Sequence, residues 1–306
     1  MKAVHSKRIL VTGATGFIGR YVLPILVNNG HEVIAVSSHA QERMGDGIQW
    51  IKADLLNESE CRQVVRQSKA DVLIHLAWYA EHGKFWTSLA NFDWVRASLV
   101  LLDEFSKQGG KRVVMAGTCA EYNWDYGNCI EDVTPTEPQT IYGKCKDAAR
   151  QLSQAYAETV GLQWVWGRVF FPFGYGEPVG RLLPSVIDAL LNGDVVRCSH
   201  GQQFRDFMPV EEVARAFSHL ACDATEVGVF NISTGEPTRI AEVVQHCVDY
   251  LGLNVNPEFG AINVPANDPP LLVGDCSRLK KTGWKAELRW DVGVSQLIEK
   301  HKCLRS

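Results

Sequence analysis

Lys7-Arg8-Ile9-Leu10-Val11-Thr12-Gly13-Ala14-Thr15-Gly16-Phe17-Ile18-Gly19 is the stretch on which the fold turns. Residues 7–12 form a short apolar run that ends in a glycine-rich turn. Residues 17–29 follow with helical spacing, and Gly30 stands where a left-handed cap is expected. A bound diphosphate needs backbone N–H groups and a positive helix end with no side chain in the way, and glycine supplies both the close approach and the unusual torsions. Gly13, Gly16 and Gly19 are therefore the candidate pyrophosphate turn, together with Thr15, Phe17 and Ile18, and Gly19 lets the helix pack closely on the sheet. A glycine triad alone is weak; its place after a strand and before a helix is the confirming context.

Outward from this turn the pattern repeats. Residues 31–36, 48–52, 71–77 and 112–116 read as strands, and residues 57–68 and 92–107 as helices between them. Strands separated by helices of this length pair in parallel through right-handed crossovers, so the expectation is an α/β fold with a doubly wound parallel sheet of the Rossmann type. From about Phe171 the texture changes to a loop-rich passage with Pro172, Gly174, Gly176, Pro178 and Gly180. We expect a dinucleotide-binding domain over residues 1–170 and a smaller substrate-binding part over 171–306, with some strands and helices returning to the first.

Composition narrows the class. The chain has 306 residues, 31 Lys+Arg against 35 Asp+Glu, and a formal charge of −4, so it lacks the basic footprint of a nucleic-acid binder. No apolar run is long enough to span a bilayer, and the start leads into a strand, so a cytoplasmic protein without a membrane or nucleic-acid partner is expected. The nine cysteines form an odd set with no Cys-x-x-Cys pair, which argues against a disulfide framework and a metal site.

The second strand ends Val36-Ser37-Ser38-His39, without the acidic residue that holds a ribose 2′-hydroxyl in the dinucleotide fingerprint. Ser37 and Ser38 can hydrogen-bond a 2′-phosphate, so NADP(H) is favoured, with NAD(H) the alternative; Arg43 is either a further charge there or a solvated loop residue. Asp54, with Leu55 beside it, is placed for the adenine amino group or serves as a turn or helix cap. Leu76 and Ala77, at the end of the fourth strand, complete the cofactor candidates.

Tyr142 and Lys146 open a helical stretch and share one face at i and i+4. Bringing a phenol from about pKa 10 to about 7 takes about 4 kcal/mol. An ammonium about 4 Å away, at an effective dielectric of about 20, supplies about that much. A tyrosine so placed can exchange a proton with a carbinol or carbonyl oxygen. Thr118, at the end of an apolar strand, either donates to the same oxygen or caps the strand.

The turn TGATGFIG, Ile74-His75-Leu76-Ala77, Gly117-Thr118 before Glu121-Tyr122, the Tyr142 and Lys146 pair, Gly167-Arg168-Val169-Phe170-Phe171-Pro172-Phe173-Gly174 and the run from Arg205 to Ala214 together resemble the extended short-chain dehydrogenase/reductase family, in its nucleotide-sugar epimerase/dehydratase branch. The resemblance implies Tyr142 as acid/base, Lys146 as the residue that lowers its pKa and binds the nicotinamide ribose, and Thr118 as third member of a triad. It also implies Arg205 as a contact to the sugar-nucleotide diphosphate, a task that suits a guanidinium fork. The bland alternative for Arg205 is an ion pair with Asp206 or Glu211. Arg181 and Arg278 are weaker candidates for the same anion.

Departures from the family pattern bear on the reaction. Sugar 4,6-dehydratases resembling this chain carry Asp-Glu where Cys119 and Ala120 stand, which disfavours dehydration, although Glu121 lies one residue on. Cys119 is either a proton donor at the substrate or a space-filling thiol. Trp94 replaces the family's usual Asn in the fourth helix. Trp78, Tyr79, Trp86 and Tyr175 are candidate pocket walls, and Trp78, Cys119, Glu121, Arg181 and Arg205 make up the expected substrate site. The first expectation is NADPH-dependent reduction of a nucleotide-activated 4-keto-6-deoxysugar, with Tyr142 as proton donor. An NAD-dependent nucleotide-sugar 4-epimerase is the alternative, and a non-catalytic dinucleotide-binding sensor a second one, against which Tyr142 and Lys146 speak. The resemblance also implies a homodimer through the helices at 92–107 and 142–158.

Overall fold

In a computed structural model, which describes residues 6–39, 47–264 and 268–305, the glycine turn joins β1 (Arg8–Thr12) to α1 (Gly19–Asn28). Gly30 takes a positive φ of 79° just past the helix, as its position requires. The chain continues through β2 (Glu32–Ser37), β3 (Ile48–Lys52), α2 (Glu58–Ser68), β4 (Val72–His75), α3 (Ala90–Lys107) and β5 (Arg112–Thr118). A 3-10 turn, Cys119–Glu121, and a short β6 (Asn128–Cys129) lead to α4 (Ile141–Val160), β7 (Gln163–Val169) and β8 (Phe171–Phe173). The rest is α5 (Leu182–Asn192), β9 (Arg197–Cys198), β10 (Phe204–Arg205), β11 (Phe207–Pro209), α6 (Val210–Cys222), β12 (Gly228–Ile232), β13 (Thr238–Arg239), α7 (Ile240–Tyr250), β14 (Glu258–Phe259), β15 (Leu271–Gly274), α8 (Ser277–Lys281) and α9 (Trp290–Cys303).

Seven strands form one sheet in the order β12-β7-β5-β4-β1-β2-β3, and every neighbouring pair is parallel. Apolar strands buried on both faces explain the near-continuous hydrophobic runs. One face packs against α1 and α6, with Leu26, Phe217 and Phe230 at its centre. The other packs against α2, α3 and α4 around Leu73, Phe105 and Trp166. A separate core joins α5, α7 and α9 through Ile187, Val244 and Ile298. The expected doubly wound sheet is present, and β12 and α6 return to it from the second half of the chain. Among the described residues no helix is long and apolar enough to cross a membrane.

Candidate active site

The strands deliver their functional residues to one edge of the sheet. At Gly13 φ is +65°, and an added Cβ would lie 2.6 Å from the Ala77 amide nitrogen. A Cβ on Gly19 would collide with the Gly13 carbonyl oxygen, and the Gly16 N–H donates to that same carbonyl at 2.9 Å. Glycine is therefore what lets β1, the turn, α1 and the end of β4 meet, and the N-terminus of α1 is left bare. This cradle fits a dinucleotide diphosphate. From it a cavity of about 540 Å³ runs past Leu76, Ala77 and Trp78 to Thr118, Tyr142 and Lys146. Phe17 and Ile18 line it as well, while Thr15 uses its carbonyl to accept from Arg20.

The other cofactor candidates lie outside that lining. The buried Ser37 Oγ accepts from His39 N at 3.2 Å, and the exposed Ser38 Oγ meets His39 Nδ1 at 3.1 Å. Asp54 is a turn residue whose Oδ1 accepts from Leu56 N at 3.0 Å, and Leu55 is buried. Arg43 falls outside the described residues.

Thr118 ends β5 and Thr140 caps α4, its Oγ1 accepting from Gly143 N at 3.0 Å. The Tyr142 hydroxyl and the Thr118 side chain line the same cavity, and the Tyr142 ring stands edge-on to Phe85 and Trp86, 4.8 and 5.7 Å away. Lys146, one helical turn on, donates to Ala116 O at 2.8 Å and lies 3.7 Å above the Trp78 ring. Burial lowers its pKa to about 7, against the opposing pull of Glu121.

One expectation is corrected here. The phenol is not drawn towards neutrality: burial pushes its pKa well up, with Cys119 and Glu121 adding to the rise while the Thr118 side chain and Arg181 oppose it. The i, i+4 spacing puts both side chains on one face, but the long lysine ends on Ala116 and Trp78. In this state Tyr142 is a protonated acid.

Glu121 is a second correction. It does not line the cavity but is fully buried. Its carboxylate turns back as a capping box, accepting from Thr118 N at 2.8 Å, Trp166 Nε1 at 2.9 Å and Arg168 Nε at 2.7 Å. It fixes Thr118 and does not face a substrate. Cys119 does line the cavity, and burial raises its thiol pKa. Arg205 lines the cavity too, and its ionic partner is neither Asp206 nor Glu211: Nη2 donates to Asp268 Oδ1 at 2.7 Å, and Nη1 to Phe204 O and Pro269 O. Asp206 instead gathers the N–H groups of Thr234, Gly235 and Gly274. Arg181, at the start of α5, lines the cavity while bonded to Glu177 Oε1 at 2.9 Å. Arg278 pairs with Asp132 away from it. Trp78 and Trp86 are walls of the cavity, as are Phe85, Trp124 and Asp268, which sit on loops without a motif to mark them; Tyr79 and Tyr175 are not.

Residues 9–233 match the NAD dependent epimerase/dehydratase family. The chain belongs to that family. Among relatives of this chain, dTDP-6-deoxy-L-talose 4-dehydrogenase (NAD(+)) of Aggregatibacter actinomycetemcomitans is 26% identical over 267 residues, 85% of this chain and 96% of that protein. UDP-glucose 4-epimerase of Halalkalibacterium halodurans is 26% identical over 311 residues, 92% and 90% of the two chains. The solved structure of MoeE5 in complex with UDP-glucose and NAD superposes with a TM-score of 0.84 at 28% identity, covering 97% of this chain and 99% of that one.

Proposed function

We propose that this family member moves a hydride between a nicotinamide dinucleotide and C4 of a nucleotide-diphosphate sugar, with 4-epimerisation as the net reaction. The observation that carries the proposal is the convergence of Thr118 and Tyr142, with Lys146 one turn away, at the far end of a cavity that begins on the glycine cradle. The 4-epimerase relative supports an epimerase over the reductase that the sequence placed first, and the MoeE5 complex with UDP-glucose and NAD supports a nucleotide-sugar substrate and a nicotinamide dinucleotide. One observation favours the reductase as second reading: Ser37, Ser38 and His39 stand where a carboxylate would select NAD(H), which also keeps NADP(H) in view.

A bound nicotinamide supplies the hydride donor or acceptor. The residues of the chain do the rest. Arg205 and Arg181 hold the diphosphate, and Thr118 Oγ1 and Tyr142 Oη converge on the C4 oxygen. The protonated phenol gives its proton to the oxygen as a ketone is reduced, and takes it back as a carbinol is oxidised. Phe85, Trp86 and Trp124 keep water from the reacting oxygen.

The test is direct. An epimerase purifies with dinucleotide bound and interconverts UDP-glucose and UDP-galactose, or another C4 pair, without added reductant. A reductase consumes NADPH or NADH in proportion to a 4-keto-6-deoxy nucleotide sugar. In either case Tyr142→Phe loses turnover by about 10²-fold or more while still binding dinucleotide, and undiminished turnover in that variant would sink the assignment.

A further inference from the structure

Lys146 carries a positive group in a place with little to hold it. Its side chain is buried, and among the described residues its one hydrogen bond runs to Ala116 O. Glu121, the carboxylate that acts on it, is already committed to Thr118, Trp166 and Arg168. What faces the ammonium is the flat of an indole. The Trp78 ring centroid is 3.7 Å from Nζ, and that ring is pinned by its edge: Nε1 donates to Asn91 Oδ1 at 2.8 Å. Asn91 in turn donates to Phe85 O and Ser88 O, both at 2.8 Å. Trp94, which replaces the Asn usual in the resembling family, packs beside Trp78 with centroids 6.4 Å apart.

We infer that Trp78 is a positioning residue that acts through Lys146, its π face holding the ammonium in charged form and in one place, a helical turn from Tyr142. The part Lys146 plays in catalysis rests on the function proposed above; the way it is held does not. Indole presents the most negative face of the natural aromatic rings, and its pull on a cation grows when water is excluded. An ammonium has three donors. One goes to Ala116, one meets the ring, and one remains for an acceptor in the cavity.

The groups facing Lys146 are few. Glu121 approaches from the turn after β5. His75, on β4, is held neutral because burial lowers its pKa to about 3, and it is bonded between Thr12 and Ser98. On α4 itself the neighbour is the protonated Tyr142. Burial places the Lys146 pKa at about 7.

The experiment uses the purified full chain without substrate. Lys146 is acetylated by a small activated ester over a pH series, and modification is followed by peptide mass spectrometry against the other lysines. The midpoint of the curve reports the pKa; easier access in a smaller variant raises the plateau and leaves the midpoint in place. Trp78→Leu lowers the midpoint by about one unit, which is about tenfold more neutral amine at a pH below both midpoints. Trp78→Phe, which keeps a weaker ring face, lowers it by less than half as much. Should Trp78→Leu fail to fold, protein grown with fluorinated tryptophan tests the same point, because fluorine drains the ring face with little change of shape, and the midpoint again falls. An unmoved midpoint in the leucine or the fluorinated protein, or equal shifts for leucine and phenylalanine, overturns the inference. Since no sugar is present, the result stands whether or not C4 chemistry is found; turnover measured alongside, with kcat reduced and KM for the sugar nucleotide held, separates the two claims.

Discussion

Glu121→Gln removes one buried charge and changes almost nothing in shape. The side-chain oxygen can still accept from Thr118 N and Trp166 Nε1. The new amide, however, faces the Arg168 N–H that Glu121 now accepts at 2.7 Å, donor against donor. Arg168 is left with the Glu131 carbonyl at 3.4 Å and the Tyr122 ring at 4.2 Å, both neutral partners, in a site where its side chain is 2% exposed. Removing one member of a buried ion pair costs about 3–5 kcal/mol, against a whole-protein stability of about 5–15 kcal/mol. Equilibrium unfolding in urea, followed by tryptophan fluorescence, should show a loss in that range. The companion Arg168→Met should lose a similar amount. The double variant buries no unpaired charge and should lose about 2 kcal/mol or more less than the two single losses together. A single loss below about 1 kcal/mol, or strictly additive losses, would refute the view that this pair is the hinge on which the Thr118 turn hangs.

Two further outcomes follow from the same geometry. Glu177 has one carboxylate oxygen, Oε2, without a hydrogen-bond partner among the described residues, and burial raises its pKa to about 7. A carboxylate whose folded pKa lies above its unfolded value favours the folded state below about pH 4.5 and loses that advantage as pH rises to about 7. Glu177→Gln should therefore stabilise the protein at pH 8 by about 2–3 kcal/mol and flatten its urea midpoint between pH 4.5 and 7; an unchanged pH profile contradicts this. Gly13→Ala forces a Cβ to 2.6 Å from Ala77 N at φ +65°. It should cost about 1–3 kcal/mol and abolish dinucleotide binding in a calorimetric titration, whereas retained binding would detach the cradle from the cofactor.

What was readable in the sequence is what is decided locally. Gly13 and Gly19 announce themselves because the torsion of the first and the close approaches of both leave no room for a Cβ, and the strands from β1 to β5 because a doubly covered sheet demands unbroken apolar runs. Thr118 and Tyr142 line one cavity, since a strand end and a helix start fix their direction. Three things were out of reach. The end of the Lys146 side chain lies four rotatable bonds from its backbone, and Ala116 and Trp78 decide where it stops. Glu121 meets Arg168 across 47 positions of chain, and Arg205 meets Asp268 across 63; no local pattern encodes such meetings. The phenol's upward shift was missed because the Coulomb attraction was weighed without the loss of water around it.

The last strand to join the large sheet, β12, comes from residues 228–232 and pairs with β7, while α6, from residues 210–222, covers the face beneath. A fragment severed at residue 170 would bare the whole β7 edge and strip away Phe217 and Phe230. Such an uncapped ribbon invites pairing with other copies. The first half of the chain is thus not excisable by a single cut, and exchanging its second half with a relative's calls for grafting two or more interleaved segments while leaving that outer strand and its helix in place.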